Sequence, residues 1–155
     1  MKTLEAYAAP DTLPTSEPAR IGRLLGLKAS KAVSDVDLAD KVAKGLKPTS
    51  ANALASILGQ SVVVGPIVPE ATLRRARNSG GALSREMSER LYEVGRVVDA
   101  VSRTFHGDKD AINHFLNHPH TLLDGRTPLD MARSSSAGAD AVMNLLRRAE
   151  SGFAV

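Results

Sequence analysis

Apolar residues recur along this chain at the three-and-four spacing of helices, punctuated by capping residues. The clearest run follows Ser84. Met87, Leu91, Val94, Val98, Val101 and Phe105 alternate between spacings of four and three, which makes a seam that must be buried. Ser84 is its expected N-cap, and opposite charges at i, i+4 (Glu86 with Arg90, Asp99 with Arg103) are expected on its exposed faces. Upstream, Ile21, Leu24 and Leu25 predict a short helix. Ser34 followed by DVDLADKVAKGL predicts another, with Asp35 and Asp37 at its positive end and Gly45 as its stop. Beyond Pro48, Ala51, Leu54, Ala55 and Leu58 share one helix face that ends at Gly59. EATLRRARN, just after Pro69, predicts a further helix. Downstream, Asp108 caps KDAINHFLN, Pro119 ends it, and Thr127 with Pro128 starts PLDMA. Residues 139–150 form the last helix, with Val142, Leu145, Leu146 and Ala149 on its apolar face and Arg147 and Arg148 at its negative end.

Two stretches depart from this pattern. Residues 1–18 carry Pro10, Pro14 and Pro18 among Ser, Thr and Asp and read as a flexible arm. In SVVVGPIVP, residues 61–69, Gly65 and Pro66 break a β-branched run, which reads as a short extended connection.

Composition narrows the class. With 155 residues, 43% hydrophobic and 24% charged, the chain supports one core or a small core plus a module, not a large multidomain enzyme. Two Tyr, three Phe and no Trp leave the interior to Leu, Val, Ile and Ala, so an all-α fold is expected. The absence of Cys excludes disulfides, thiolate zinc sites and a cysteine nucleophile, and fits a reducing cytosol. No signal-peptide core or uncharged apolar run of about 18 residues is present, so a soluble, cytoplasmic protein with no membrane partner is expected. A net charge of +3 is too small to hold nucleic acid by charge alone, and the distribution of charge must decide.

Arg74, Arg75 and Arg77, with Thr72, lie on a short helix suited to the major groove, where arginine forks meet guanine edges and hydroxyls hold phosphate; Lys41, Lys44 and Lys47 would add backbone contacts. The plainer reading is a solvated helix face. Among His106, His114, His118 and His120, the i, i+4 pair His114 and His118 suits a shared divalent ion. With no HExxH, no Cys and Pro119 turning the backbone, however, neither a metal nor another cofactor is expected. Asp124, Asp130 and Asp140 read as turn and cap residues. Without a Ser/His/Asp order or a phosphate-cradling Gly loop there is no catalytic carrier, and the protein is not expected to be an enzyme. After Gly152, the residues Phe153, Ala154 and Val155 make an apolar tail with a free carboxylate, which gains nothing unless it packs on its own core or on a partner.

The order of motifs after residue 70 resembles that of the Xre-type antitoxins that neutralise RES-domain toxins, the Xre/MbcA/ParS antitoxin family. The carrying residues are TLRR at 72–75, ALSREMSERL at 82–91, a helix ending in Phe105 and Gly107, DKDAINHFLNHPHTLLDGRTPLDMA at 108–132, and GFAV at 152–155. The resemblance spans roughly residues 35–155, and LLDGRTPLD is its most specific part. Beyond the arm at 1–18 it implies a helix-turn-helix-like region at 19–82 and a helical toxin-binding domain at 83–155. It further implies a non-enzymatic antitoxin that covers the active site of a RES-domain toxin, one that consumes NAD or transfers ADP-ribose. Arg126, Arg147, Arg148, Gly152, Phe153, Ala154 and Val155 would face the toxin. Thr72, Arg74, Arg75 and Arg77 would face operator DNA, and a homodimer within a toxin–antitoxin heteromer would match a palindromic operator. The alternative is a stand-alone Xre-like transcriptional regulator whose C-terminal helices only dimerise. Two features depart from the family pattern: Phe115 and Leu116 stand where Trp-Leu is usual, and SVVVGPIV with Pro66 precedes TLRR.

Overall fold

Short polar side chains begin most of the helices. In a computed structural model that describes residues 2–28 and 33–152, α1 (Lys2–Glu5) and two 3-10 turns lead to Ser16, whose hydroxyl accepts from the Ala19 amide and opens α2 (Glu17–Leu24). Ser34 and Asp37 form a capping box at the start of α3 (Asp35–Lys44), and Pro48 opens α4 (Pro48–Leu58). A single turn, α5 (Gln60–Val63), precedes α6 (Glu70–Ser79). Ser84 caps α7 (Arg85–Thr104), Asp108 caps α8 (Lys109–Asn117), Thr127 caps α9 (Pro128–Ser134), and Ser135 caps α10 (Ser136–Glu150). Each side-chain cap satisfies an amide that the helix leaves unpaired and contributes about 1 kcal/mol. The last helix starts at Ser136, three residues before the expected start at Ala139, because Ser135 supplies the cap there, and Ala149 at its far end is exposed. The fold is all-α; the described residues pair only through the isolated bridges Val64 with Val68 and His120 with Arg126.

The α7 seam is the axis. Leu91, Val94, Val98 and Val101 are fully buried, enclosed by α2, α3, α4, α9 and α10, while Met87 and Phe105 at its ends are half-buried against the same core. Those central residues are consumed within the chain, which removes the possibility that the seam is a homodimer interface. One hydrophobic cluster runs from Leu4 to Leu146, across residues 18 and 82.

The structure overturns two expectations. The first eighteen residues are not a free arm. Leu4 and Tyr7 are buried, and the Tyr7 hydroxyl donates to Asp99 Oδ1 at 2.8 Å. Prolines stop helices without preventing packing, and this segment carries enough apolar surface to join the core, with Leu4, Tyr7 and Ala8 lying against Gly107 just beyond α7. The Val63–Val68 stretch is likewise no extended connection: after one helical turn, Gly65 at φ 108° reverses the chain, and Val63, Ile67 and Val68 enter the core.

Asp99 also departs from expectation. It is 1% exposed and makes no ion pair with Arg103. Instead Arg20 Nε donates to Asp99 Oδ1 at 2.9 Å, and Arg20 Nη1 donates to the carbonyls of Pro14 and Thr15 at 3.2 and 2.8 Å. The sequence signal was the stripe Ser88, Gly95, Ser102 beside Asp99, since small residues at heptad spacing mark a close approach. Gly95 admits Ile21 and Leu25, and Ser88 Oγ accepts from the Leu46 amide at 2.7 Å.

Burial first, and then the adjacent Asp99 carboxylate, push the Tyr7 phenol far above its ordinary value of 10.0; burial also raises Tyr92. Above pH 10 the folded chain therefore holds protons that the unfolded chain releases. This contribution to stability is complete below about pH 10 and is lost as pH rises further. Tyr7→Phe should cost about 1.5–3 kcal/mol at pH 7, the value of a hydrogen bond to a charged acceptor. Urea midpoints followed from pH 8 to 12 should fall less steeply for this variant above pH 10. An unchanged alkaline slope would contradict the assignment.

Candidate functional site

The LLDGRTPLD segment is a tight reversal between α8 and α9. The 3-10 turn Thr121–Leu123 runs into Asp124 and Gly125, both left-handed (φ 54° and 79°), and the His120 amide donates to the Arg126 carbonyl at 3.0 Å while the Gly125 amide donates back to the His120 carbonyl at 2.9 Å. Leu123 and Leu129 anchor this reversal in the core and leave Arg126 exposed. Phe115 lies half-buried with its ring centroid 5.7 Å from that of Phe105 and 6.0 Å from that of His120, and Leu116 is fully buried. The aromatic anchor therefore works without an indole donor.

The final helix presents the other basic groups. Val142, Leu145 and Leu146 pin α10 to the core, which sends Arg147 and Arg148 to the surface in its last turn; Arg147 Nη1 donates to Asn144 Oδ1 at 2.8 Å. Gly152 is exposed, and Phe153, Ala154 and Val155 lie outside the described residues. The anchoring of α10 to α7 includes a feature that sequence reading missed. Arg96 Nη2 donates to Glu93 at 3.0 Å and to Asp140 at 2.7 Å, bridging the two helices. Burial works against the Arg96 charge, but the hydrogen bonds it donates to Asp140 and Glu93 outweigh it and raise its pKa. Asp140 thus joins two helices rather than serving as a cap.

Arg74, Arg75 and Arg77 are all exposed on α6, which is held by buried Leu73 and Ala76; Thr72 is half-buried. They are not all unengaged. Arg77 Nη2 donates to Asn52 Oδ1 at 2.6 Å, Arg74 pairs with Glu70 at 3.6 Å, and Arg75 reaches Thr72 Oγ1 only at 3.5 Å. Lys41, Lys44 and Lys47 are exposed nearby in the chain, on α3 and at the α4 N-cap. α4 and α6 touch, but residues 59–69 separate them, longer than the three-to-four-residue turn of a compact helix-turn-helix.

His114 and His118 are exposed and stacked, with centroids 5.0 Å apart and planes at 21°. Among the described residues, no group of three or more His, Cys, Asp or Glu is placed to hold a metal ion. None of the described helices is long and apolar enough to cross a membrane.

Residues 100–152 match the family model described as the antitoxin Xre/MbcA/ParS C-terminal toxin-binding domain. The chain is also 29% identical over 142 residues to a protein of Yersinia enterocolitica serotype O:8 / biotype 1B named Antitoxin Xre, covering 90% of this chain and 93% of that relative.

Proposed function

From the premise that this chain is an antitoxin of the Xre/MbcA/ParS type, with a C-terminal toxin-binding domain, we propose that it neutralises a RES-domain toxin by covering its active site. The observation that carries this reading is the pair of exposed arginines on the last turn of a helix whose opposite face is locked into the core, inside the matched segment. Arg147 and Arg148, with Arg126 and the tail from Gly152 to Val155, supply guanidinium forks and an apolar end. Guanidinium forks pair with acidic groups at the mouth of a partner's pocket, and an apolar end fills its cavity. The toxin so blocked consumes NAD or transfers ADP-ribose, and the antitoxin itself contributes binding, not chemistry. Toxin binding is assigned to residues 83–155 and operator binding to 19–82, a division of labour laid over one shared core. In the cytoplasm the chain also represses its own operon through Thr72, Arg74, Arg75 and Arg77, as a homodimer whose contact surface is not the α7 seam.

Co-expression with a RES-domain toxin encoded by the same genome tests this. Deleting residues 152–155, or making Arg147→Glu with Arg148→Glu, should weaken protection, read as cell survival and NAD level, and lower affinity for the inactivated toxin by about tenfold or more. Retardation of operator DNA on a gel should persist. Full protection by both variants would sink the toxin-facing assignment. Retardation that survives Arg74→Ala, Arg75→Ala and Arg77→Ala together would sink the operator assignment. Operator binding with no affinity for any adjacent gene product would leave the stand-alone regulator.

A further inference from the structure

The N-terminal segment of this chain is tied down by a costly device, and a cleft opens where it ends up. Tyr7 and Arg20 converge on one carboxylate oxygen of Asp99, and Arg20 also holds the carbonyls of Pro14 and Thr15, so the segment between residues 7 and 15 is fastened across α7. Between this strap, the end of α7 and the last turns of α10 lies a cleft of about 480 Å³. Tyr7 and Leu13 form the strap wall, Met143 and Leu146 the α10 wall, and Arg103 and Arg147 stand on the rim. Ala100 lies between the walls, and Glu17 and His106 complete a lining that mixes apolar and charged groups. On the rim, Glu150 accepts a hydrogen bond from Thr104 at 3.0 Å, whereas Arg103 has no ion-pair partner among the described residues.

We propose that this cleft is part of the toxin-binding surface, and that the N-terminal strap supplies one of its walls. The inference rests on the toxin-binding reading above and extends it to residues far outside the matched segment. Two of the three walls, α10 and the end of α7, lie within residues 100–152, so the cleft is continuous with the surface that the family domain describes as toxin-binding. The third wall comes from residues 7–17. Its occupant is a segment of the toxin that inserts one apolar side chain against Leu13, Met143 and Leu146 and brings a carboxylate to Arg103 and Arg147. The volume lies within the roughly 300–1,000 Å³ of sites that enclose a ligand group. The Tyr7–Asp99–Arg20 cluster acts by holding the wall in place before the toxin arrives, which removes the ordering cost that a loose arm would impose on binding.

The test measures affinity of the full-length chain for a catalytically inactivated RES-domain toxin encoded by the same genome. Leu13→Glu and Arg103→Glu should each weaken binding by about tenfold or more with an unchanged circular dichroism spectrum. Arg103 is exposed, so Arg103→Glu keeps the test valid if Leu13→Glu perturbs folding. Arg148→Glu, outside the cleft, reports on the general toxin-binding reading. If Arg148→Glu loses binding while Leu13→Glu and Arg103→Glu bind like wild type, the cleft proposal is overturned and the toxin-binding reading stands. If the wild-type chain does not bind that toxin, both fall.

Discussion

Replacing Asp99 with alanine should destabilise the protein by about 3–5 kcal/mol, the cost of leaving a buried charge without its partner. Arg20 and Asp99 side chains are 8% and 2% exposed, so water cannot take over the lost interaction, and Tyr7 loses its acceptor as well. For a chain of this size, about 2–4 °C per kcal/mol places the melting temperature roughly 6–20 °C lower. The triple replacement Asp99→Leu, Arg20→Met and Tyr7→Phe should recover part of the loss, because an apolar cluster of similar volume carries no desolvation penalty and leaves no phenol without its acceptor, while the Pro14 and Thr15 carbonyls still lose their donor. A single variant within 1 kcal/mol of wild type would mean that the cluster is solvated in solution. The same replacement should free the strap, and protease sensitivity within residues 2–16 should rise with it.

Gly138→Val should cost about 3 kcal/mol, at the upper end of overpacking penalties, and its effect should be centred on the C-terminal half. Gly138 is buried where α10 begins against the end of α9, and a β-carbon there would overlap the carbonyl oxygen of Met131 and the Ser134 hydroxyl. The main obstacle is backbone, which cannot rotate aside. The two helices must therefore separate, which loosens Ala132 and Ala139 and shifts the Arg147 and Arg148 pair at the far end of α10. Hydrogen exchange should rise in residues 128–146 before it rises in α3 and α4, and toxin affinity should fall. Uniform exchange with wild-type affinity would show that the crossing adapts. Ser134→Ala in the same chain should not restore stability, because it leaves the Met131 carbonyl in place.

Most helix ends and the α7 seam were readable because their causes are local. Ser34, Ser84, Asp108 and Thr127 each satisfy an amide two or three residues away, and a period of alternating threes and fours requires only that one face be buried. The reversal at LLDGRTPLD was readable for the same reason, since Asp124, Gly125 and Pro128 are chosen by backbone torsions within the motif. The exposed positions of Arg126, Arg147 and Arg148 follow from those local elements.

What the linear chain established, then, is the helical class, most element boundaries, the buried stripe of α7 and the family likeness of its C-terminal third, because each depends on residues near one another along the backbone. Tertiary packing alone decided which partner Asp99 takes. At i, i+4 from Arg103 it read as half of a surface pair. Arg20, seventy-nine positions away, outcompetes Arg103 because its guanidinium reaches the carboxylate in a site that excludes water, where a charged hydrogen bond is stronger than at the surface. Packing likewise turned the proline-rich start into a wall of the molecule. Burying Leu4 and Tyr7 requires the Gly107 turn and the Asp99 carboxylate to be brought together by the assembled helices, and no local pattern of residues encodes that surface.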